Sequence, residues 1–297
     1  MTRFLVHAAL ALVSVLFGLN YVIAKIALRE VTPLDLVVIR AWGAAALLFG
    51  VSWMRRRSAQ APAAKLTVSD VGQLFVFSLL GVSINQLVFL EGLFRSTATN
   101  AALVLVASPV LTLAIAVLLR RERASVTGGI GIGLGITGAL LLILPRGRLD
   151  MSSAAALGNL FLLGSALSYS LYLVFTRPIL SRHDPLRVVS WLFLLAALTV
   201  TPMDIGGMRK VFATGLSPAG WASIIYAIVG ATAIPYLLNN WALSRVKSSV
   251  VAVYILLQPL VAGVLGRVYL GERFGPHAAV AGALVVSGVI LSALRKT

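Results

Sequence analysis

The chain has no cysteine, and only 11% of its 297 residues are charged. The missing cysteine excludes disulfides, cysteine-ligated metal sites and thiol chemistry. Soluble domains carry about 25% charged residues. Because this chain is 59% hydrophobic, it could not fold in water without exposing most of its apolar surface. The composition therefore predicts a membrane protein.

Acidic residues are scarce, with nine against 25 lysines and arginines. In a soluble protein this balance would point to a nucleic-acid partner. Here the basic residues stand in short clusters between apolar runs, such as Arg55-Arg56-Arg57. Loop clusters of this kind orient membrane helices. We therefore expect the lipid bilayer as a partner and no nucleic acid.

Catalytic and cofactor motifs are also missing from the apolar runs. No Ser/His/Asp, two-Asp or metal-ligand spacing is present, and the three histidines are scattered. Gly133-x-Gly135-x-x-Gly138 matches the dinucleotide fingerprint by letter, but it follows no strand. Gly131 and Gly135 instead have the small-residue spacing of close helix contacts, either within the bundle or in a dimer. We expect no enzyme activity, no cofactor and no metal.

Ten apolar segments have the length that a bilayer requires, which is about 20 residues. They run approximately over 5–28, 33–53, 71–94, 98–119, 126–144, 157–178, 186–203, 219–242, 248–270 and 277–294. The breaks between them carry turn residues or charge. The sequence therefore predicts an all-α membrane protein with ten transmembrane helices.

One stretch of the chain occurs twice. A shift of 150 positions aligns, without a gap, Arg95 with Arg245, Pro109 with Pro259, Glu122 with Glu272 and Gly138 with Gly288. Such self-similarity indicates a duplicated unit. Each half holds five helices, an odd number, so the second half must enter the membrane from the opposite side. We predict two inverted five-helix repeats, 1–148 and 149–297, around a central cavity, an architecture of transporters with a midplane substrate site.

The basic residues of the loops predict the orientation. Placing the N-terminus in the cytoplasm puts 15 lysines and arginines on the inner side and 8 on the outer side. Cytoplasmic loops carry the excess of positive charge. We therefore expect a multi-pass protein of the cell (inner) membrane with both termini in the cytoplasm.

Several motifs resemble those of a known family. They are Phe17-Gly18-Leu19-Asn20-Tyr21 through Lys25, Thr32-Pro33 before Arg40, Pro109 with Glu122 and the glycines after it, and the copies Pro259, Glu272, Gly282 and Gly288. Over essentially the whole chain, the sequence resembles the EamA branch of the drug/metabolite transporter superfamily, and within it the YddG-type amino-acid exporters.

The resemblance implies a basket-shaped bundle in which helices 1, 3, 4, 6, 8 and 9 surround a central cavity. It also implies export of amino acids and related metabolites by alternating access. One departure matters, because the four-helix multidrug members carry a membrane-embedded glutamate in helix 1. Helix 1 of this chain has no acid, so their proton-coupling scheme does not transfer.

Polar side chains inside hydrocarbon are costly, so a cluster of them predicts a site. The candidate substrate-cavity residues are Asn20, Asn85, Gln86, Tyr169, Tyr172, Tyr236, Asn239, Tyr254 and Gln258. Amides and hydroxyls among aromatic rings suit an amphiphilic amino acid. The alternative for each amide is a hydrogen bond that only joins two helices. Pro235 also frees the carbonyl of Ala231, which a polar group must then satisfy.

Three charged residues, Lys25, Arg40 and Glu91, lie in the predicted outer half of the membrane. A lone charge at the centre of a helix costs about 2.5–3.5 kcal/mol on insertion scales. We predict that Glu91 pairs with Lys25 or Arg40, the alternative for Lys25 being a snorkelling side chain. Pro109 and Pro259 interrupt helical hydrogen bonding and are predicted flex points of a gate.

The sequence thus predicts an exporter of amino acids and related small metabolites, acting as a monomer or homodimer. The alternative is efflux of organic cations or drugs, which would favour an anionic or purely aromatic cavity. Glu122 and Glu272 fall on opposite faces of the predicted membrane, so we expect them to cap or pair at helix ends rather than to catalyse.

Overall fold

The computed structural model describes residues 2–58, 66–96, 98–143, 153–204, 207, 211, 213, 215–261, 264 and 276–293. Within these ranges the regular secondary structure is helical and contains no β-strand. The first half contains α1 (Thr2–Ala27), α2 (Pro33–Ser58), α3 (Val68–Ser78), α4 (Ile84–Arg95), α5 (Ala98–Leu105), α6 (Ser108–Leu118) and α7 (Val126–Ile143). The second half contains α8 (Ser153–Leu180), α9 (Pro185–Val200), α10 (Pro218–Ile228), α11 (Ile234–Leu243), α12 (Ser248–Val253) and α13 (Pro276–Ala293).

Six helical stretches are long and apolar enough to cross a bilayer: Phe4–Ala27, Pro33–Arg55, Val68–Arg95, Ala156–Leu180, Pro185–Met203 and Pro218–Leu243. Four further apolar helices are shorter: Ser108–Leu118, Val126–Leu141, Ser248–Val261 and Val280–Ser292. Each of these stretches overlaps a predicted segment. The all-helical membrane class is confirmed, while the count of ten spanning helices stays a prediction.

Two π-helical turns interrupt the long helices at equivalent positions. Leu79–Ser83 joins α3 to α4, and Val229–Ala233 joins α10 to α11, 150 residues later. π turns inside α-helices occur frequently at functional sites. Pro235 follows the second turn, but Asn85 stands at the equivalent position after the first. Proline therefore accounts for only one of the two turns.

Glycines bring α7 and α13 into backbone contact. A Cβ atom at Gly131 would lie 2.8 Å from the Gly288 carbonyl oxygen, and one at Gly138 would lie 2.6 Å from that of Ala281. Lower numbers on α7 meet higher numbers on α13, so the two helices run antiparallel. They are also copies under the 150-residue shift. The predicted close contact of these glycines therefore lies within the bundle.

Buried apolar side chains hold the remaining helices together. One cluster includes Leu192 and Phe193 of α9, and a second includes Tyr21 of α1, Leu36 of α2 and Leu90 of α4. In this bundle α4 packs along α8, α2 packs along α9, and α1 contacts α10 and α11. These pairings leave a space between α1, α4, α8 and α11.

Carboxylates fix the starts of several helices. Glu122 accepts hydrogen bonds from Ser248 Oγ at 2.6 Å and from the backbone nitrogen of Ser249 at 3.2 Å, both in the first turn of α12. A carboxylate is favourable at a helix N-terminus. The predicted capping role of Glu122 is thus confirmed, whereas Glu272 lies outside the described residues.

Candidate functional site

A cavity of about 80 Å³ lies in the space between the central helices. Its lining combines amides, hydroxyls, aromatic rings and one guanidinium: Phe17, Asn20, Tyr21, Arg40, Asn85, Gln86, Phe89, Leu105, Ser108, Ser165, Tyr169, Tyr236, Ile255 and Gln258. Residues from both halves contribute to this lining. Helices 1, 3, 4, 6, 8 and 9 of the sequence prediction take part, and the structure adds helix 2 through Arg40.

The structure brings most of the predicted cavity residues together. Those that line the cavity are Asn20, Asn85, Gln86, Tyr169, Tyr236 and Gln258. Asn239 and Tyr254 instead line an adjoining space of about 10 Å³, which shares Tyr169 and Gln258 with the main cavity. Phe17 and Ile255 also line both spaces, so the wall between them is part polar and part apolar.

Hydrogen bonds hold the polar residues of the adjoining space. Asn239 Nδ2 donates to the Tyr169 hydroxyl at 2.7 Å. The Tyr254 hydroxyl lies 2.7 Å from His7 Nδ1, and Ser14 Oγ donates to the Tyr254 carbonyl at 2.7 Å. The first bond ties α11 to α8, and the other two tie α1 to the 3₁₀ turn Tyr254–Leu257.

The prediction that Tyr172 lines the cavity is wrong. Its side chain is fully buried, and its ring packs on Gly81, where a Cβ atom would lie only 2.6 Å from Tyr172 Cε2. Its hydroxyl donates to Asn240 Oδ1 at 2.8 Å. The missing side chain at Gly81 lets the ring fill a gap between helices, so Tyr172 serves packing.

The predicted pairing of Glu91 with Lys25 or Arg40 is also wrong. Glu91 forms an ion pair of 3.1 Å with Arg95, one helical turn away. Residues four apart share a helix face, so the local partner is already in reach. Lys25 Nζ donates instead to the Ser96 carbonyl at 2.5 Å, just past the C-terminal end of α4, where a cation is favourable.

Arg40 satisfies the carbonyl that Pro235 was expected to free. Its side chain is 3% exposed. Nη2 donates to the Ala231 carbonyl at 3.2 Å, and Nε donates to Thr232 Oγ1 at 2.9 Å. The prediction that a polar group must satisfy Ala231 is confirmed, and the group is a guanidinium from α2.

Several cavity side chains are already paired and hold the lining in shape. The Tyr21 hydroxyl donates to Gln258 Oε1 at 2.8 Å. Asn85 Nδ2 donates to the carbonyl and hydroxyl oxygens of Ser165, each at 2.9 Å. For Asn85 and Gln258, the structure therefore shows the helix-joining hydrogen bonds that were the alternative to a site.

Other cavity atoms have no hydrogen-bond partner among the described residues. They are Asn20 Oδ1, Arg40 Nη1, Gln86 Oε1 and Nε2, and Ser108 Oγ. Gln86 lies beside the Tyr236 hydroxyl but outside normal hydrogen-bonding geometry. Buried polar groups are usually satisfied, because an unpaired one costs about 1–3 kcal/mol. A cavity whose lining residues carry both unpaired donors and unpaired acceptors suits a small molecule that carries both kinds of group.

The two prolines lie beside irregular backbone next to the cavity. Pro109 is buried at the start of α6, and Pro259 is buried just after the 3₁₀ turn Tyr254–Leu257. Ser108 and Gln258, the residues before them, line the cavity. Their role as flex points of a gate stays a prediction.

Sequence reasoning missed the apolar part of the lining. Phe17 and Tyr21 flank Asn20 on α1, and Phe89 extends the face of Asn85 and Gln86. Helical spacing of three places Phe17 beside Asn20, and spacing of four places Tyr21 beside Phe17, so this signal was available. Within the described residues, no group of three or more histidine, aspartate and glutamate side chains could hold a metal ion.

Comparison with known proteins decides the family. The profile of the EamA-like transporter family matches residues 5–144 and again residues 156–294. The chain belongs to the EamA-like transporter family. Its membrane helices and central cavity are therefore those of a multi-pass membrane transporter, and each half of the transporter matches the family by itself.

Individual relatives of this EamA-like transporter are distant. An uncharacterized transporter of Archaeoglobus fulgidus is 26% identical over 294 residues, which cover 98% of each chain. A protein of Streptantibioticus cattleyicolor named as a probable terminal-alkyne amino-acid exporter is 28% identical over 224 residues, or 75% of this chain and 73% of that one. A solved structure described only as "Crystal structure of protein" matches with a TM-score of 0.76 at 19% identity over 96% of both chains, so the two share a fold.

Proposed function

We propose that this EamA-like transporter exports amino acids and related small metabolites across the cell inner membrane by alternating access. The observation that carries the proposal is the central cavity, whose lining residues Arg40 and Gln86 have donor atoms, and Asn20 and Gln86 acceptor atoms, without a hydrogen-bond partner among the described residues. An amino acid presents both a carboxylate and an ammonium group to such a lining. The Streptantibioticus relative, named as a probable amino-acid exporter, supports the same substrate class.

The proposed topology has ten transmembrane helices in two inverted five-helix repeats, 1–148 and 149–297, with both termini in the cytoplasm. The antiparallel contact of α7 with its copy α13 supports the inversion, because an axis in the membrane plane reverses the direction of a helix. Alternating access would follow from movement of one set of helices against the other about the cavity.

The absence of native cysteine makes this topology simple to test. Arg29 and Ser181 are both exposed at helix ends, and the proposal places Arg29 outside and Ser181 inside. A membrane-impermeant maleimide should label Arg29→Cys in intact cells and Ser181→Cys only after permeabilisation. Labelling of Ser181→Cys in intact cells would contradict the proposed orientation.

Transport itself is tested by counterflow in proteoliposomes that are loaded with one unlabelled amino acid at a time. We expect labelled amino acids to exchange, and we expect Asn20→Ala and Gln86→Leu to slow the exchange by about tenfold, since 1.4 kcal/mol of lost binding corresponds to that factor. Gln73→Leu, an amide on the outer face of α3, is the matched control and should exchange at the normal rate.

The second candidate function is efflux of organic cations, which the aromatic rings of Phe17, Tyr21 and Phe89 favour. The buried cation Arg40 in the same lining opposes it. Uptake of organic cations by the proteoliposomes, together with no exchange of any amino acid, would replace the leading proposal by this one.

A further inference from the structure

Arg40 is a buried cation without an acidic partner in the part of the chain that the structure describes. Seven of the nine acidic residues fall in that part, and each has another contact: Glu30 with Ser217, Asp35 with Thr32, Asp70 with His183, Glu91 with Arg95, Glu122 with Ser248, Asp184 with Arg55, and Asp204 with Gly207. Arg40 is 3% exposed, and its contacts are a carbonyl and a hydroxyl.

Among the described residues, the hydrogen-bond partners of Arg40 are neutral, so no opposite charge lies beside its guanidinium there. Charged residues within membrane segments almost always pair with an opposite charge or with backbone carbonyls, and they mark substrate pathways. In Arg40 one side of the guanidinium is held by Ala231 and Thr232, while Nη1 is free among the described residues and the side chain lines the cavity. The held side fixes the orientation of the group, and Nη1 is left without a hydrogen-bond partner beside the cavity.

We propose that Arg40 binds the carboxylate of the substrate, so that the cavity selects carboxylate-bearing molecules over amines of the same shape. A guanidinium matches a carboxylate in charge and in geometry. The free acceptors Asn20 Oδ1 and Gln86 Oε1 in the same lining would then accept hydrogen bonds from the ammonium group of a zwitterion. This inference rests on the proposed function and narrows its substrate class.

The test compares each amino acid with the amine that lacks its carboxylate. The pairs are phenylalanine with 2-phenylethylamine, leucine with isopentylamine, and methionine with 3-(methylthio)propylamine, each measured as counterflow in proteoliposomes of the full chain. The wild-type protein should exchange at least one acid at least tenfold faster than its amine. Arg40→Gln should lower exchange of that acid by more than tenfold and leave exchange of the amine unchanged.

Two further variants separate binding from folding. Arg40→Lys keeps the charge but loses the planar fork, so it should retain part of the preference for the acid. Arg95→Gln removes an exposed arginine that lies outside the cavity and should keep the whole preference. If Arg40→Gln and Arg40→Lys lower exchange of the acid and of the amine equally, Arg40 is structural and the proposal is overturned.

If Arg40→Gln does not fold, inhibition of counterflow by the wild-type protein tests the same inference. 3-Phenylpropionate, which has a carboxylate but no amine, should inhibit phenylalanine counterflow, and 2-phenylethylamine at the same concentration should not. Inhibition by 2-phenylethylamine but not by 3-phenylpropionate would overturn the inference. If no amino acid exchanges at all, the proposed function fails; if amino acids exchange normally through Arg40→Gln, the function stands and only this inference fails.

Discussion

The two π-helical turns share their backbone form and differ in what binds them. Gly81 and Ala231 occupy the same position in turns that lie 150 residues apart. The carbonyl of Gly81 accepts a hydrogen bond of 2.7 Å from the Tyr236 hydroxyl, and that of Ala231 accepts one of 3.2 Å from Arg40 Nη2. The two equivalent carbonyls thus bind a neutral phenol and a cation, respectively. Among its described lining residues, the cavity between them therefore has positive charge on one side only.

Gly81→Ala tests whether the first turn depends on glycine where the second turn has alanine. The new methyl group would lie 2.6 Å from Cγ and Cε2 of the Tyr172 ring and still nearer to Cδ2, closer than real Cβ contacts. Overpacking of this kind costs about 3 kcal/mol at the upper end of its usual range. Thermal unfolding in detergent should show a clearly lower Tm.

The matched change is Ala231→Gly, which adds flexibility but no clash and should cost only about 1 kcal/mol. If Gly81→Ala and Ala231→Gly lowered the stability equally, the first turn would not depend on glycine more than the second turn depends on alanine.

Tyr236→Phe removes the phenol that satisfies the Gly81 carbonyl and leaves the ring in place. A buried carbonyl without a donor costs about 1–2 kcal/mol. Denaturant unfolding of the purified protein should report that loss. An unchanged midpoint would mean that another group takes over the Gly81 carbonyl.

Arg40→Met should act differently on the second turn. The Ala231 carbonyl loses a donor, but a buried charge that has no acidic partner among the described residues is removed at the same time. Replacing buried charge by a similar apolar volume is often neutral or stabilising. We expect a stability within about 1 kcal/mol of wild type, together with loss of amino-acid exchange. If Arg40→Met lowered the stability as much as Tyr236→Phe does, the donors to the two carbonyls would contribute equally to stability.

The N-termini of α3 and α10, the helices that precede the two π turns, also differ. Of the changes considered, one at these N-termini should have the smallest effect on stability. Asp70 caps α3 from within its own turn, as its carboxylate accepts from Thr67 Oγ1 at 2.8 Å. At α10 the equivalent residue is Gly220, and Glu30 accepts from the Ser217 nitrogen at 2.8 Å and from its hydroxyl at 2.5 Å. These hydrogen bonds lower the pKa of Glu30 below the usual value of 4.5.

The sign of this shift fixes a pH dependence. A carboxyl group with a lowered folded-state pKa stabilises the protein above its unfolded pKa, and that contribution is lost as the pH falls through the folded pKa. Glu30→Gln should therefore lower the Tm slightly at pH 7, and the difference from wild type should shrink below about pH 4.5. A difference that is constant between pH 7 and pH 3 would contradict a role for the ionised carboxylate.

The sequence was informative where a residue type conflicts with its surroundings. Asn20 and Gln86 stand out in apolar helices, and both line the cavity. Pro235 predicted an unsatisfied carbonyl at Ala231, and Arg40 satisfies it. The equivalent π turn at Leu79–Ser83 carries no proline, so its sequence lacks the signal that Pro235 gives for the second turn.

Tertiary partners were harder to predict than positions. Helical periodicity shows which residues share a face, but it does not show which helix that face meets. Glu91 was assigned a distant partner, although Arg95 was one turn away. Hydrophobicity does not distinguish Phe17 and Phe89 from lipid-facing phenylalanines, because both environments are apolar; for Phe17, only its spacing from Asn20 does. Tyr172 was assigned to the cavity because nothing in the sequence links it to Gly81.

The glycine contact between α7 and α13 has a further consequence. Gly138 contacts Ala281, and Gly288 contacts Gly131. Under the 150-residue shift, Gly288 is the copy of Gly138 and Ala281 is the copy of Gly131. Each contact is thus the image of the other, as in the isologous interface of a two-fold homodimer. The interface between α7 and α13 therefore contains the same contact twice within a single chain. A bulky residue at Gly138 disrupts one of the two contacts, and the other, around Gly288, still holds the halves together.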